Sequence, residues 1–378
     1  RRYGVVAGTE RFVEALAHFT FDDPALATVA DFLDSETLAF LTGYRFGGDI
    51  DGYPEGELYF PGSPVLTVTG TFADAVILET VALSIYNHDC AIASAAARMV
   101  TAAAGRPLIE MGSRRTHEEA AVASARAAYL AGFATTSNLA AGARHGIPTA
   151  GTAAHAWVLL HDDEPAAFAS QVAALGTGTT LLVDTYDIRR GIEHAVAAAG
   201  PGLGAVRIDS GDLGELARQA REQLDALGAT GTRIVLSGDL DEYAIASLRA
   251  EPVDSYGVGT SVVTGSGSPT AGMVYKLVEV DGRRVHALVT GSGPDLVLIH
   301  GASGNMRDFT FRFVDRVKDR YRVIVFDRPG LGYTDHAADR YAGAFARQGE
   351  SPAEQAAILN AAAEKLGVRN PIVLGHSY

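Results

Sequence analysis

From residue 106 to residue 260 the chain repeats one rhythm: a short apolar run, a polar or glycine-bearing turn, then a stretch with helical spacing. The apolar runs fall at 107–111, 133–135, 179–184, 205–208, 233–236 and 253–256. Helical patterns lie between them, at 164–174, 189–199, 213–227 and 242–249 among others. Strands and helices alternating at this spacing pair in parallel through right-handed crossovers. The number of units predicts an α/β barrel.

That architecture has a chemical consequence. In a parallel barrel every strand ends on the same face, and chemistry collects there. The polar residues of this chain follow its strands in order: Gly112-Ser113-Arg114-Arg115, then His155 in GTAAHAWV (151–158), then Asp184 with Asp187. Arg207 with Asp209, Ser210 and Asp212 comes next, then Ser237-Gly238-Asp239, then Gly257-Val258-Gly259-Thr260. Arginine forks bind phosphate or carboxylate bidentately. Carboxylates suit ribose hydroxyls and Mg²⁺, which keeps several waters and uses few protein ligands. The backbone of 257–260 can offer N–H groups to a monophosphate. The set fits a phosphorylated sugar. Each piece also has a plainer reading. A lone histidine beside apolar residues packs or sits at the surface, Arg114-Arg115 reads equally as a solvated pair, and the Asp209–Asp212 run as a turn with a helix cap. The run Gly265-Ser266-Gly267-Ser268 reads better as a flexible loop. The argument rests on their joint occurrence after successive strands.

Residues 1–105 read as an N-terminal α+β region. Helical spacing covers 9–19 and 31–41, with Asp34 or Ser35 as a cap. A hairpin or loop covers 49–60 and a strand 65–68. A long helical pattern at 73–99 is expected to break near Asn87-His88-Asp89. Thr116-His117-Glu118-Glu119 has the form of a capping box. The barrel then occupies 106–282, and a seam at Asp281-Gly282-Arg283 opens a third region, 283–378, with strands at 296–299, 322–326 and 372–374 and a helix at 351–366.

A formal net charge of −14 argues against a nucleic-acid or anionic-membrane binder. No apolar run approaches the roughly 18 residues of a membrane span. The single cysteine, Cys90, excludes an internal disulfide framework and suits a reducing cytoplasm. The chain opens at Arg1 rather than Met and stops at Tyr378 inside a motif, which reads as a fragment cut at both ends.

The motifs MGSRR (111–115), TSNLAAG (136–142), GTAAHAWV (151–158), VDTYD (183–187), AVRIDSGD (205–212) and SYGVGTS (255–261) together resemble those of the nicotinate phosphoribosyltransferases, over residues 1 to about 282. The resemblance implies a type II phosphoribosyltransferase-like α/β barrel with an N-terminal α+β region. It implies that nicotinate and phosphoribosyl pyrophosphate give nicotinate mononucleotide and pyrophosphate in NAD biosynthesis, with ATP as co-substrate, Mg²⁺ as cofactor, and a cytoplasmic homodimer as the intact enzyme. His155 falls on the family's phosphorylated histidine, Arg207 and Asp209 on its substrate-contacting pair, Arg114 on a phosphate contact, and Gly257 and Gly259 on the product-phosphate loop. Arg115, Asn138, Asp184, Ser210, Asp212 and Thr260 complete the expected substrate-binding set, and metal ligands stay unassigned. The family's first segment, with a tyrosine that stacks on the pyridine ring, and its last part after about 282 have no counterpart here. A related transferase using quinolinate shares the fold but needs no phosphorylatable His155.

Residues 284–378 carry LVLIHGASGN (296–305), VIVFDRPGLGYTD (323–335) and VLGHSY (373–378), which resemble the first part of an α/β-hydrolase. The resemblance implies a partial hydrolase sheet with Ser377 on a nucleophile elbow and the Ala302 and Tyr378 N–H groups at the oxyanion hole. The triad's acid and histidine follow the nucleophile in chain order, so no hydrolase activity is expected, and half a sheet should leave an open edge. A serine hydrolase and an inactive joined fragment remain as alternatives to the transferase.

Overall fold

Six short strands, apolar at most of their buried positions, organise the first part of the chain. They are β1 (Leu108–Glu110), β2 (Thr135–Thr136), β3 (Thr180–Leu182), β4 (Ala205–Ile208), β5 (Arg233–Leu236) and β6 (Ser255–Val258). The computed structural model describes residues 3–280, 283–342 and 349–376. It divides into two units, Arg1–Val274 and Tyr275–Tyr378.

In the first unit all six strands pair in parallel, in the order β2-β1-β6-β5-β4-β3. Every strand lies beside its neighbour in sequence except β2 and β3, and β6 returns to lie beside β1. That is the cyclic order of a barrel, opened between β2 and β3. Beyond β2, Thr136 makes a further parallel bridge to Thr149, so the segment leading to His155 continues the ring. Leu181, Leu182, Val206, Ile208, Ile234, Leu236, Tyr256 and Val258 are all at most 1% exposed. Strands covered on both faces need such apolar runs, which is why they were legible. Helices cross between them, notably α2 (Glu118–Leu130) and α3 (Leu139–His145) around β2, the six-residue α4 (His155–Leu160), and α5 (Leu213–Ala226) between β4 and β5.

The long helix α1 (Glu79–Ala103) precedes this sheet and packs small residues (Ala93, Ala95, Ala96) into the core. The expected break at Asn87-His88-Asp89 does not occur. The interruption falls at Leu78, after a short helix at Phe72–Ile77. Asn87 is engaged by the main chain of Met273, which donates to its Oδ1 at 2.7 Å and accepts from its Nδ2 at 3.3 Å. Asp89 receives Arg11 at 2.7 Å. Side chains occupied this way do not compete for the helix backbone. The capping box expected at Thr116 does not form either. His117 holds the cap position without a side-chain bond, and Glu119 is gripped by Arg144 at 2.6 and 3.1 Å. Complete boxes occur at Thr71–Asp74 and Ser351–Glu354. The N-terminal region adds two antiparallel strand pairs, Gly4–Val5 with Leu58–Tyr59 and Asp49–Gly52 with Leu66–Thr69.

The second unit holds a four-stranded sheet: β7 (Ala287–Thr290), β8 (Asp295–Ile299), β9 (Arg322–Phe326) and β10 (Ile372–Gly375), in the order β7-β9-β8-β10. β7 is antiparallel and the rest are parallel. Phe309 and Val314 cover one face. Leu359, from the helix Pro352–Lys365, packs on the other against Val297, Ile324 and Phe326. β10 is exposed along its whole length. Among the described residues no helix is long and apolar enough to cross a membrane.

Candidate active site

Because β1 to β6 run in one direction, the turns that follow them share one rim of the sheet. Arg207 stands on β4 near that rim, and three neighbours fix its guanidinium. Its Nε donates to Ser237 Oγ at 2.6 Å, one terminal nitrogen to Thr152 Oγ1 at 2.7 Å, and the other to Asp209 Oδ1 at 2.7 Å. Ser237 Oγ also donates to Asp209 Oδ1 at 2.5 Å. Burial acts to raise the pKa of Asp209, but the Ser237 hydroxyl, the Arg207 charge and His155 together hold it below the usual carboxylate range.

His155 opens α4 and its side chain is 43% exposed. Its Nδ1 lies 3.1 Å from Thr185 Oγ1. Its Nε2 lies between two carboxylates, 3.9 Å from Asp184 Oδ1 and 4.0 Å from Asp209 Oδ2. Asp184 is itself divided in role. Its Oδ2 accepts the Asp209 N–H at 2.8 Å and the Ser210 hydroxyl at 2.7 Å, which ties the turn after β3 to the turn after β4. Its Oδ1 is buried with no hydrogen-bond partner among the described residues and is the oxygen nearest the imidazole. A buried, unsatisfied carboxylate oxygen is costly unless something binds it.

The other arc of the rim follows β1, β2 and β6. Asn138 caps α3 through its Oδ1 and donates from Nδ2 to Ser113 Oγ at 3.1 Å. Arg114 and Arg115 are exposed, and among the described residues neither guanidinium has a partner. Two glycines keep these turns close. A Cβ at Gly112 would sit 2.1 Å from Val263 Cγ1 and 3.1 Å from Gly259 O. A Cβ at Gly257 would meet Met111 Sδ at 2.7 Å and Ser237 Cβ at 3.1 Å, so Gly257 is where the two arcs meet. Gly259 and Thr260 follow at the start of a four-residue helix.

The structure therefore brings His155, Asp184, Arg207, Asp209 and Ser210 into one cluster, and Arg114, Arg115, Asn138, Gly257, Gly259 and Thr260 onto the adjoining turns. Asp212 does not join them; it is exposed and caps α5 by accepting the Glu215 N–H at 3.2 Å. Asp187 likewise caps the helix Ile188–Ala199. Sequence reasoning missed Thr152 and Thr185, which stand inside GTAAHAWV and VDTYD, and it named Ser237 only as part of a turn. It also passed over Glu110, a lone charge ending an apolar strand. Among the described residues no three His, Cys, Asp or Glu side chains form a metal-holding group.

In the second unit Ala302 lies in an exposed turn after β8. The neighbouring His300 is buried, and its Nε2 accepts the Arg328 N–H at 3.0 Å. Ser377 and Tyr378 lie outside the described residues, as do Asp281 and Gly282 at the expected seam.

With this geometry in place, comparison with known proteins is informative. Residues 1–87 match the family model described as the nicotinate phosphoribosyltransferase N-terminal domain, and residues 296–378 match the alpha/beta hydrolase family. A nicotinate phosphoribosyltransferase of Mycobacterium tuberculosis is 71% identical over 290 residues, 75% of this chain and 65% of that protein. The chain thus spans just under two thirds of that relative's length. The nicotinate phosphoribosyltransferase of Bacillus subtilis is 36% identical over 348 residues, 86% of this chain and 71% of that protein. Among solved structures, human nicotinic acid phosphoribosyltransferase superposes with a TM-score of 0.60 at 26% identity, covering 68% of this chain and 65% of that one. The nicotinate-nucleotide pyrophosphorylase of Pyrococcus furiosus gives 0.63 at 27% identity, covering 75% and 67%.

Proposed function

The chain belongs to the nicotinate phosphoribosyltransferase family, and on that premise we propose that its first unit joins nicotinate to the phosphoribosyl group of phosphoribosyl pyrophosphate, releasing pyrophosphate, with ATP hydrolysis coupled through His155. The observation that carries this reading is the imidazole standing between Asp184 Oδ1 and Asp209 Oδ2, with Nδ1 at Thr185. When Nδ1–H donates to the Thr185 hydroxyl, Nε2 keeps its lone pair. That nitrogen then attacks the γ-phosphorus of ATP; the N–P bond forms as the bond to the ADP oxygen breaks, and water later attacks the same phosphorus, releasing phosphate and restoring the imidazole.

Arg207 has five N–H groups and spends three of them on Ser237, Thr152 and Asp209. One N–H on each terminal nitrogen is left for an anion, which suits the nicotinate carboxylate. Its orientation is fixed before the ligand arrives, so little is lost in ordering it. In the transfer step the bond from C1′ to pyrophosphate breaks as the pyridine nitrogen bonds C1′. Charge on the ribose and on the leaving group must be stabilised by Asp209 and the Arg114-Arg115 turn respectively.

Mg²⁺ is part of the proposal, and the residues fit it. Mg²⁺ uses one or two carboxylates plus substrate phosphates rather than a protein cage, and the unpartnered Asp184 Oδ1 with Asp209 Oδ2 provides such a pair. Bound there, the ion would screen phosphate charge. The proposal extends to a cytoplasmic homodimer. Leu159, Leu160 and Tyr186, close in sequence to His155 and Asp184, are 61%, 77% and 63% exposed, apolar side chains of the kind that a second copy would cover.

The test is release of ADP and pyrophosphate dependent on nicotinate, measured on the intact protein and on His155→Ala. The reading expects both products from the first and neither from the variant. An intact protein that makes no nicotinate-dependent product would sink it.

A further inference from the structure

The strongest unexplained group near the rim is Glu110. It ends β1, it is 1% exposed, and no cation pairs with it among the described residues. Burial raises its pKa. A carboxyl group in such a place is costly unless its oxygens are satisfied, and here both are. Oε1 accepts the Gly112 N–H at 2.5 Å and Oε2 accepts the Thr136 hydroxyl at 2.6 Å. With both oxygens filled and no exposure, Glu110 is not itself a ligand for substrate or metal.

The contacts continue into a closed circuit. The Thr136 hydroxyl oxygen accepts the Asn138 N–H at 3.0 Å, and Asn138 Nδ2 reaches Ser113 Oγ at 3.1 Å. Ser113 follows Gly112, which Glu110 holds. The Glu110 carbonyl also accepts the Ser137 N–H, and the Gly112 carbonyl accepts the Arg115 N–H, both at 2.8 Å. One buried side chain thus ties the turn after β1 to the turn after β2. The first of these turns carries the two exposed arginines.

We infer that Glu110 is a positioning residue: its buried carboxyl group locks the Gly112–Arg115 turn to the Thr136–Asn138 turn, so that Arg114 and Arg115 meet a diphosphate-bearing ligand in a fixed arrangement. The inference rests on reading the rim as a phosphoribosyl site and adds a residue that acts through others.

The test uses inorganic pyrophosphate as probe, titrated calorimetrically into the full chain, with thermal unfolding followed in parallel. Glu110→Ala should weaken binding about tenfold, the scale of one lost buried hydrogen-bonding partner. Glu110→Gln should bind within about twofold of the unaltered chain, because an amide oxygen can accept from Gly112 while its nitrogen donates to Thr136. Thr136→Val, which keeps the volume and removes the donor, should resemble Glu110→Ala and serves if that variant does not fold. Adding Glu110→Ala to the pair Arg114→Ala and Arg115→Ala should cost nothing further, since the effect passes through the arginines. Binding that neither Glu110→Ala nor Thr136→Val alters would overturn the inference alone. So would a further loss on the arginine-free background, or a Gln variant as weak as Ala. No pyrophosphate binding by the unaltered chain would overturn the reading of the rim and this inference with it.

Discussion

The two arcs of the rim solve the same problem in opposite ways. Around Arg207 the guanidinium is paired and oriented from within the protein, by Asp209, Ser237 and Thr152. Around Arg114 and Arg115 the backbone is fixed, by Glu110, Asn138 and the close approach at Gly112, while the charges are left open. The difference separates positioning from binding. An ion pair inside the protein orients a group but cancels part of its charge. A pair of unpartnered arginines on a fixed turn keeps its charge for an anion that arrives with its own.

Substitutions can break or sharpen that contrast. The largest effect is expected on the closed arc: His155→Ala should lower nicotinate-dependent ADP release at least about a hundredfold, since the acceptor atom is gone. Arg207→Lys should come next, at about 2 kcal/mol of transition-state stabilisation read from kcat/KM, because a point charge cannot serve Ser237, Thr152 and Asp209 at once. On the open arc, Arg114→Ala with Arg115→Ala should weaken pyrophosphate about tenfold and lose its effect as salt rises, while Tm moves by no more than about 2 °C. If Tm falls as far for the open arc as for Arg207→Lys, the contrast fails. The smallest effect is expected at Asp212→Ala, about 1 kcal/mol of stability from a lost helix cap, measured by chemical denaturation.

The same contrast explains what the sequence could and could not reveal. Strands buried on both faces must be apolar runs, and polar residues that follow them must gather at one rim. The alternation, the cyclic strand order and the neighbourhood of His155, Arg207 and Asp209 were therefore legible. Partner choice was not, because it is decided between segments far apart in the chain. Asn87 and Asp89 look like helix breakers locally, yet their side chains answer Met273 and Arg11. Glu119 looks like half of a capping box, yet Arg144 takes it. Asp212 and Asp184 are the same residue type in similar motifs. One caps a helix in solvent and the other is buried beside the imidazole. Glu110 escaped notice because its two partners are a backbone N–H and a hydroxyl, neither of which leaves a mark in a sequence pattern.

The most direct test of the account asks where the phosphoryl group goes. The full chain is incubated with ATP and Mg²⁺, then its acid-labile, base-stable phosphate is located by mass spectrometry under alkaline conditions. One phosphate on His155, absent from His155→Ala, is the predicted result. Nicotinate-dependent turnover with an unmodified His155, or the same labelling in the variant, would contradict it.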